Sequence, residues 1–574
     1  MRYALAGVLI VMGLVAGFIG VAQKTIWAPS EQIVAHADLA DPGSVVVIEP
    51  GVLNLYDGAA DLKVEHDGPI SIARASKENV DAWVDSAAHT KITGVKSETE
   101  LRTEKVDGDE KTPSVKNADL FTSVESSESE LNMHWEDDPG RTAFVVSSDG
   151  KTQVDGEVSI SWPNPATTPW AIPLMVIGAI LIILGVVLAF LANRNARREK
   201  ERRKKRAERR RKLAQMGTAF VIVPGLALAG CASPELPEPQ PDEAPESPGG
   251  VITDDQLNAI LERISSTVSK ADDKKSTKAL KARASGPFLE QRKAAYSIKK
   301  KDKDFKLPPA LATQSVKVNF TSATDTWPRV TSAVTYDEKT KQTQVLVLSQ
   351  ESPRDNYKVW AQAVMLGGSE FPSVNDSRQG SELLPPDADG LAMTPTDAVG
   401  TYVDILKHGN KAKNAKKFED DPFRKQTADG QRKAAEALKD GNAEVKFDYD
   451  RGNELVAQKV ADGSALVVGS AVQQVTYSPE KVDDRTGQLT IDKPQSEILG
   501  KTETDQDFTT EYRQVYAFIV PKDKGKARLI GLTSVLTDAK LGDGNDGGND
   551  DSNGGGDNGD NGNNGGGDNG NNEE

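Results

Sequence analysis

Cysteine and histidine are scarce in this chain. With one cysteine in 574 residues, no disulfide can form within the chain, so an exported part would be stabilised by burial alone. The five histidines do not pair at the spacing of metal ligands, and we expect no metal site and no cofactor. They are His36, His66, His89, His134 and His408.

Catalytic motifs are also missing. No glycine-rich phosphate loop follows a predicted strand, and Gly463-Ser464 and Gly469-Ser470 lack the glycine spacing of a nucleophile elbow. His408 lies at a predicted helix end, where a cation stabilises the helix dipole. We assign no catalytic residue, and an enzyme is the less favoured interpretation.

Aromatic residues make up only 5% of the chain, and the formal net charge is −16. That charge excludes nucleic acid as the partner of the whole chain. The length is too great for one core, so we expect several domains.

Three apolar runs lie in the first 231 residues. Residues 1–22 and 170–192 are long enough to cross a membrane, so we predict two transmembrane helices. The third run, at 215–231, is shorter and typical of a signal segment. The first run could instead be a cleavable signal peptide, although Gly20-Val21-Ala22 is a poor cleavage site.

A basic block between the second and third runs sets the orientation. Residues 193–212 contain 13 Arg or Lys and three Glu, and basic flanks stay in the cytoplasm. Such a block can bind nucleic acid or anionic lipid, but it more often only fixes topology. With 193–214 as a cytoplasmic loop, we expect 23–169 and 232–574 outside the cytoplasmic membrane.

The third run ends in Leu228-Ala229-Gly230-Cys231, which resembles a bacterial lipobox. The resemblance implies that lipid is attached to the Cys231 sulfur and that the chain is cut just before it, which would tether the following residues to the membrane. The alternative is a third membrane helix with an incidental cysteine. An internal lipobox suggests a two-span membrane protein fused to a lipoprotein.

The outward regions differ in composition. Residues 23–169 have short apolar runs separated by turn residues and predict a small, mainly β domain, with a mobile loop expected at 96–129 because that part is polar and charged. Residues 232–250 are rich in Pro and Glu and predict a solvated spacer. Residues 542–574 are almost entirely Gly, Asn and Asp and predict a disordered tail. A calcium-binding repeat there would need periodic large apolar residues, which are absent.

An internal duplication divides the large remaining region into 251–390 and 391–541. Thr253-Asp-Asp-Gln256 is a capping box before a helical stripe, and Thr394-Pro395-Thr396-Asp397 repeats that kind of start. In both halves, helical patterns precede four strand patterns. We therefore predict an α+β fold in which each half has helices on one face of a curved antiparallel sheet.

This order resembles the cone-shaped NTF2-like (cystatin-like) superfamily, which implies a cavity between sheet and helices. Aromatic residues at strand positions are more often core, and a carboxylate there can simply face solvent. The candidates for lining a ligand pocket are Trp327, Tyr357, Trp360, Asp448 and Tyr477.

Six motifs occur together along the chain. They are Asp67-Gly-Pro-Ile-Ser71, Asp81-Ala-Trp-Val84, Ala284-Ser-Gly-Pro-Phe-Leu-Glu-Gln-Arg292, Trp327-Pro-Arg329, Val345-Leu-Val-Leu-Ser-Gln350 and Tyr357-Lys-Val-Trp-Ala361. With the two-span arrangement they resemble an uncharacterised actinobacterial membrane-protein and lipoprotein family with a C-terminal domain of unknown function. The resemblance covers residues 1 to about 540. It implies a cell-envelope location and transfers no catalytic residue.

The sequence thus predicts a membrane-anchored lipoprotein that binds or scaffolds outside the cytoplasmic membrane. Expected partners are membrane lipid and an envelope protein, wall polymer or small ligand, and not nucleic acid. Two alternatives stay open, an enzyme using an NTF2-like cavity and an accessory subunit of an envelope transport or biosynthesis complex. A cavity with a buried carboxylate of raised pKa would favour the enzyme.

Overall fold

The computed structural model describes residues 2–39, 45–108, 112–136, 140–148, 154–204, 236–482 and 485–542. The predicted lipobox at 228–231, the basic residues beyond 204 and the tail from 543 lie outside the described residues.

The first part of the chain contains three helices and ten strands. They are α1 (Arg2–Lys24), β1 (Gln32–Leu39), β2 (Val45–Ile48), β3 (Ala60–Glu65), β4 (Ile70–Ser76), α2 (Lys77–Val84), β5 (His89–Ser97), β6 (Glu100–Val106), β7 (Ser123–Ser127), β8 (Glu130–Trp135), β9 (Thr142–Ser147), β10 (Gly156–Pro163) and α3 (Ala171–Lys204).

Helices α1 and α3 are the two apolar helices predicted from the sequence. Within the described residues, Tyr3–Lys24 and Ala171–Asn195 are long and apolar enough to cross a membrane. They pack antiparallel along glycines: a Cβ on Gly178 would lie 2.7 Å from the Gly13 carbonyl oxygen, and one on Gly20 would lie 2.7 Å from the Ala171 carbonyl oxygen. Small residues allow such a close approach of two helices in a membrane.

Strands β1–β10 form one mixed sheet in the order β7-β4-β9-β2-β5-β6-β1-β10-β3-β8. Only the β2–β5 and β1–β6 pairs are parallel. Strand β8 also contacts β4 and β7, so the sheet rolls around an apolar interior that includes Ile48, Phe144 and Trp162. We call residues 23–169 the first domain.

Two expectations for the first domain were wrong. The segment 96–129, expected as a mobile loop, contains β6 and β7 and buries Val115, Leu120 and Phe121. Strand β6 buries only Leu101, so its composition is that of a solvated segment although its backbone pairs with β5. The strand pattern at 52–56 forms turns instead.

The second part contains α4 (Asp254–Lys274), α5 (Thr277–Leu280), α6 (Gly286–Lys301), β11 (Val316–Thr321), β12 (Arg329–Asp337), β13 (Gln342–Gln350), β14 (Lys358–Met365), α7 (Pro395–His408), two 3-10 turns (Gly409–Lys411 and Ala415–Lys417), α8 (Pro422–Asp440), β15 (Ala443–Lys459), β16 (Ala465–Pro479), β17 (Lys481–Val482), β18 (Arg485–Thr486), β19 (Leu489–Thr490), α9 (Gln495–Leu499), β20 (Glu503–Thr504), β21 (Phe508–Val520) and β22 (Arg528–Leu541).

The predicted helix starts are confirmed. The Gln256 amide N–H donates to the Thr253 hydroxyl at 3.3 Å, and the Gln256 side-chain oxygen accepts from the Thr253 N–H at 3.1 Å. At α7, the Thr394 hydroxyl accepts from the Asp397 N–H at 3.1 Å, and Pro395 is the first helical residue.

The α+β class is confirmed, and the two halves share one sheet. Its order is β11-β12-β13-β14-β22-β21-β16-β15, with all pairs antiparallel and the halves joined by the β14–β22 pair. Gln458 on edge strand β15 donates to the Phe320 carbonyl of edge strand β11 at 3.0 Å, so the sheet curls until its edges meet. We call residues 248–541 the second domain. The NTF2-like character of its halves stays a prediction.

Candidate functional site

The five residues predicted to line one pocket lie in four different places. Trp360 packs in the core shared by the two half-sheets, against Gly286 at the start of α6. Asp448 lies at the surface, paired with Lys407 at 2.6 Å and Lys446 at 2.7 Å. The ring of Tyr477 stacks on that of Phe508, 4.6 Å between centroids. Trp327 and Tyr357 come together near the contact between the two domains.

That contact is built around Asp119, a first-domain carboxylate buried in the second domain. Its side chain has no exposed surface. It accepts hydrogen bonds from the guanidinium of Arg283 and from the Tyr357 backbone N–H at 2.9 Å, and it forms an ion pair with Arg263 at 2.9 Å. The Asp119 N–H donates to the Asn356 side-chain oxygen at 2.9 Å. Both carboxylate oxygens are occupied, which is the condition under which a buried charge is tolerated.

A second contact joins Arg354 of the second domain to the end of α2. Its guanidinium donates to the carbonyl oxygens of Trp83 and Val84, each at 2.8 Å. A cation at a helix C-terminus also interacts favourably with the helix dipole. Beside it, the indole of Trp327 packs against the apolar cluster of α2. We call these contacts, with those of Asp119, the domain junction.

The segment before the second domain also lies against the first. Arg102 pairs with Glu238 at 2.7 Å, the Arg141 guanidinium donates to the Asp242 carbonyl oxygen at 3.3 Å, and Leu236 packs against the first-domain core. Most of the described residues 236–250 are exposed, as expected for a solvated spacer, but the segment lies along the first domain instead of standing free of it.

A cavity of about 260 Å³ opens at the junction. Its walls come from the start of α2, from residues 244–251 and from residues 324–329. Arg329 lines it and is only 3% exposed. The guanidinium lies over the Trp327 ring, 3.8 Å from the centroid. Burial lowers the pKa of Arg329 from its ordinary value, although arginine stays charged at neutral pH.

A larger cavity, about 590 Å³, lies between α7 and α8 in the second half. Asp421 lines it, and its carboxylate accepts from the Tyr402 hydroxyl at 3.0 and 3.1 Å and from the Arg424 N–H at 2.8 Å. Burial raises the pKa of Asp421 above its ordinary value. The same carboxylate is the N-cap of α8, so it also has a structural role.

A chain of polar side chains runs inward from this cavity. Gln431 and Gln473 both donate to the Tyr449 hydroxyl, at 3.1 and 2.9 Å, and Gln473 accepts from Gln514 at 2.9 Å. Burial raises the pKa of Tyr449 to about 12. Each group in the chain has a partner, which makes it a stable buried network.

Another cavity, about 640 Å³, belongs to the first domain and is acidic. The buried His66 ring contacts the Asp155 carbonyl oxygen at 2.7 Å beside it. His408 is exposed at the end of α7 and pairs with Asp404 at 2.8 Å, in keeping with the structural role expected for it. In the part of the chain that the structure describes, no three His, Cys, Asp or Glu residues form a group that could hold a metal ion.

Sequence reasoning missed Asp119, Arg329 and Asp421. Asp119 lies in a segment whose composition indicates a loop, and nothing local marks it as buried. Arg329 lies in the motif Trp327-Pro-Arg329, so a signal existed, but the motif does not show that the arginine lacks a carboxylate partner. The sequence Asp421-Pro422 is typical of an ordinary helix start.

Comparison with known families gives one match. Residues 248–541 match the family model described as "Domain of unknown function (DUF8094)", which confirms the predicted C-terminal domain of unknown function. No curated protein and no solved structure matches the chain.

Proposed function

The chain belongs to the family of this domain of unknown function, and we propose that it is a membrane-anchored binding or scaffolding module of the cell envelope, with both domains outside the cytoplasmic membrane. The observation that carries the proposal is the domain junction. A carboxylate buried between two arginines of the other domain cannot form across a hydrocarbon core of about 30 Å.

Three observations support the proposed topology. The first domain lies between α1 and α3, which are antiparallel, so it has both membrane helices on one side. Basic residues continue α3 beyond its apolar part, which favours a cytoplasmic end. The second domain touches the first, so the proposal requires both domains to lie on the same side of the membrane.

The lipobox explains how the chain would return across the membrane. Residues 215–231 are an apolar run of signal type that ends in Cys231, and translocation of this run would bring the second domain to the first. A diacylglyceryl group on Cys231 would then hold the second domain at the membrane even after cleavage. The packing of α1 against α3 supports α1 as a retained anchor rather than a cleaved signal peptide.

Mass spectrometry of the protein extracted from membranes in mild detergent, captured through a C-terminal tag, tests this proposal. We expect a species that begins at Cys231 and carries lipid, together with the intact N-terminal piece held by the junction. Cys231→Ala should abolish lipid attachment and cleavage. An unmodified, uncut native chain would contradict the lipoprotein assignment, and loss of the N-terminal piece from the captured material would contradict the docking.

The alternative of an enzyme rests on the α7–α8 cavity. A carboxylate of raised pKa, bonded to a tyrosine hydroxyl in a cavity of about 590 Å³, is the arrangement that would suit a general acid in an NTF2-like fold. The N-cap role of Asp421 and the fully paired network behind it favour a structural interpretation. If the protein turned over a substrate and Asp421→Asn abolished that turnover, the enzyme would become the favoured interpretation.

A further inference from the structure

Arg329 differs from the other deeply buried arginines. Among the described residues, those less than 10% exposed are Arg283, Arg292 and Arg329. Arg283 pairs with Asp119, and Arg292 pairs with Asp272 at 2.6 Å. Arg329 has no hydrogen bond or ion pair with any described residue, and its buried Nε has no partner. The carboxylate of Asp325 acts on Arg329 electrostatically but does not contact it. A buried charge without a contacting counter-ion is strongly unfavourable, which indicates that the site receives an anionic group.

The geometry leaves the guanidinium edge available to that group. Trp327 covers one face of the guanidinium and donates its own indole N–H to Gln350 at 3.0 Å. Stacking on the indole stabilises the positive charge of the guanidinium. It provides no hydrogen-bond acceptor for the N–H groups, which lie in the guanidinium plane. The planar fork of an arginine matches a carboxylate or phosphate.

The other charged residues around the cavity determine which kind of anion can bind there. Glu78 and Asp325 also line it. Glu78 is compensated by Arg141 at 2.9 Å, whereas Asp325 is exposed at the cavity and has no ion pair with the described residues. A doubly charged phosphate would be repelled by Asp325. A ligand with both a carboxylate and an ammonium group would leave neither Arg329 nor Asp325 unpaired.

We propose that the junction cavity binds a small zwitterionic amino acid, with its carboxylate on Arg329 and its ammonium group on Asp325. At about 260 Å³ the cavity is smaller than the roughly 300–1,000 Å³ of drug-sized sites, which suits a ligand of amino-acid size. This inference rests on the proposed function, because it makes the junction the outward-facing binding site of the module.

The walls of the cavity come from both domains, and this has a consequence for stability. Ser76 and Asn79 belong to the first domain, and Thr324 and Arg329 to the second. A ligand that needs both walls binds only the docked arrangement and stabilises it by mass action.

The test is calorimetric titration of the detergent-solubilised full chain with glycine, L-alanine, acetate and inorganic phosphate. We expect glycine and alanine to bind more tightly than acetate, and phosphate not to bind. Arg329→Lys keeps the charge but loses the fork and should weaken glycine binding at least tenfold. Asp325→Asn should weaken glycine binding and leave acetate binding unchanged. Arg378→Lys, at an exposed arginine, is the matched control and should bind as the parent does.

The proposal would be overturned if phosphate bound preferentially, if acetate and glycine bound equally, or if none of the four compounds bound. If Arg329→Lys does not fold, the exposed Asp325→Asn decides, because equal glycine binding by that variant and the parent also overturns it. The titration uses purified protein and does not depend on lipid or topology, so its failure leaves the result of the mass measurement untouched.

Discussion

At the scale of single residues, the ion pairs of the second domain are of two kinds. Asp448 is exposed and lies between two lysines, as surface carboxylates commonly do. Arg283 and Arg292 are buried, and each has a carboxylate whose removal would leave a charge without a partner. The second kind carries the larger energies, because a buried ion cannot recover its hydration.

Replacing Asp119 by Asn should therefore weaken the protein strongly. Arg283 would stay buried without its counter-ion, and breaking such a pair costs about 3–5 kcal/mol. Urea unfolding of the full chain in detergent measures the loss. The control is Asp376→Asn, which removes an exposed partner of Arg378 and should change stability by less than about 0.5 kcal/mol. Equal unfolding midpoints for the two variants would show that the junction does not depend on this ion pair.

The raised pKa of Asp421 predicts a pH dependence with a definite sign. The folded protein holds the proton more tightly than the unfolded chain, so the contribution of Asp421 to stability is present at low pH and is lost as pH rises through its folded-state pKa. Asn caps a helix as well as Asp does. In urea unfolding between pH 4 and 7, Asp421→Asn should become more stable relative to the parent as pH rises.

Asp448→Asn is the control for that series. Hydrogen bonds from Lys407, and then from Lys446, lower the pKa of Asp448, so its contribution is present at neutral pH and is lost as pH falls. This variant should become less stable relative to the parent as pH rises. The same sign of slope for both variants would show that burial does not control the titration of Asp421.

At the scale of helices and strands, alternation and capping made much of the second domain predictable. In both halves the expected strands follow the helices, as β11–β14 follow α6 and β15 and β16 follow α8, and the capping box at Thr253 starts α4. Prediction failed at β6, because a strand that buries one side chain has no apolar alternation to detect. It also failed for the path of the segment before residue 250, whose partners are distant in sequence.

The packing of α1 on α3 gives a prediction at this scale. In Gly178→Leu the new Cβ would lie 2.6 Å from the Gly17 backbone nitrogen, so the two helices must move apart. We expect the distance between the helix axes to grow by about 2 Å, which stays within the usual range of interaxial distances. Spin labels on Tyr3→Cys and Leu188→Cys in a Cys231→Ser chain would report that separation. Gly7→Leu is the control, since a Cβ there meets no atom within 4 Å. An unchanged distance in Gly178→Leu would contradict the helix pairing.

At the scale of the whole molecule, the two apolar helices were predictable from the sequence, and the docking of the two domains was not. Apolar length and basic flanks predict spans and their orientation by local composition. The junction depends on residues such as Asp119 and Arg283, which are 164 positions apart and have ordinary neighbours. The same separation explains why a binding cavity between the domains has no sequence motif of its own.

The most direct measurement is labelling of single cysteines in intact cells with a maleimide that cannot cross the membrane. The chains would carry Cys231→Ser and one of Asn132→Cys, Lys439→Cys or Asn195→Cys, which lie at exposed positions of the first domain, the second domain and the basic end of α3. We expect Asn132→Cys and Lys439→Cys to react in intact cells and Asn195→Cys to react only after the cells are opened. Labelling of Asn132→Cys in intact cells with protection of Lys439→Cys would place the two domains on opposite sides of the membrane and contradict the account.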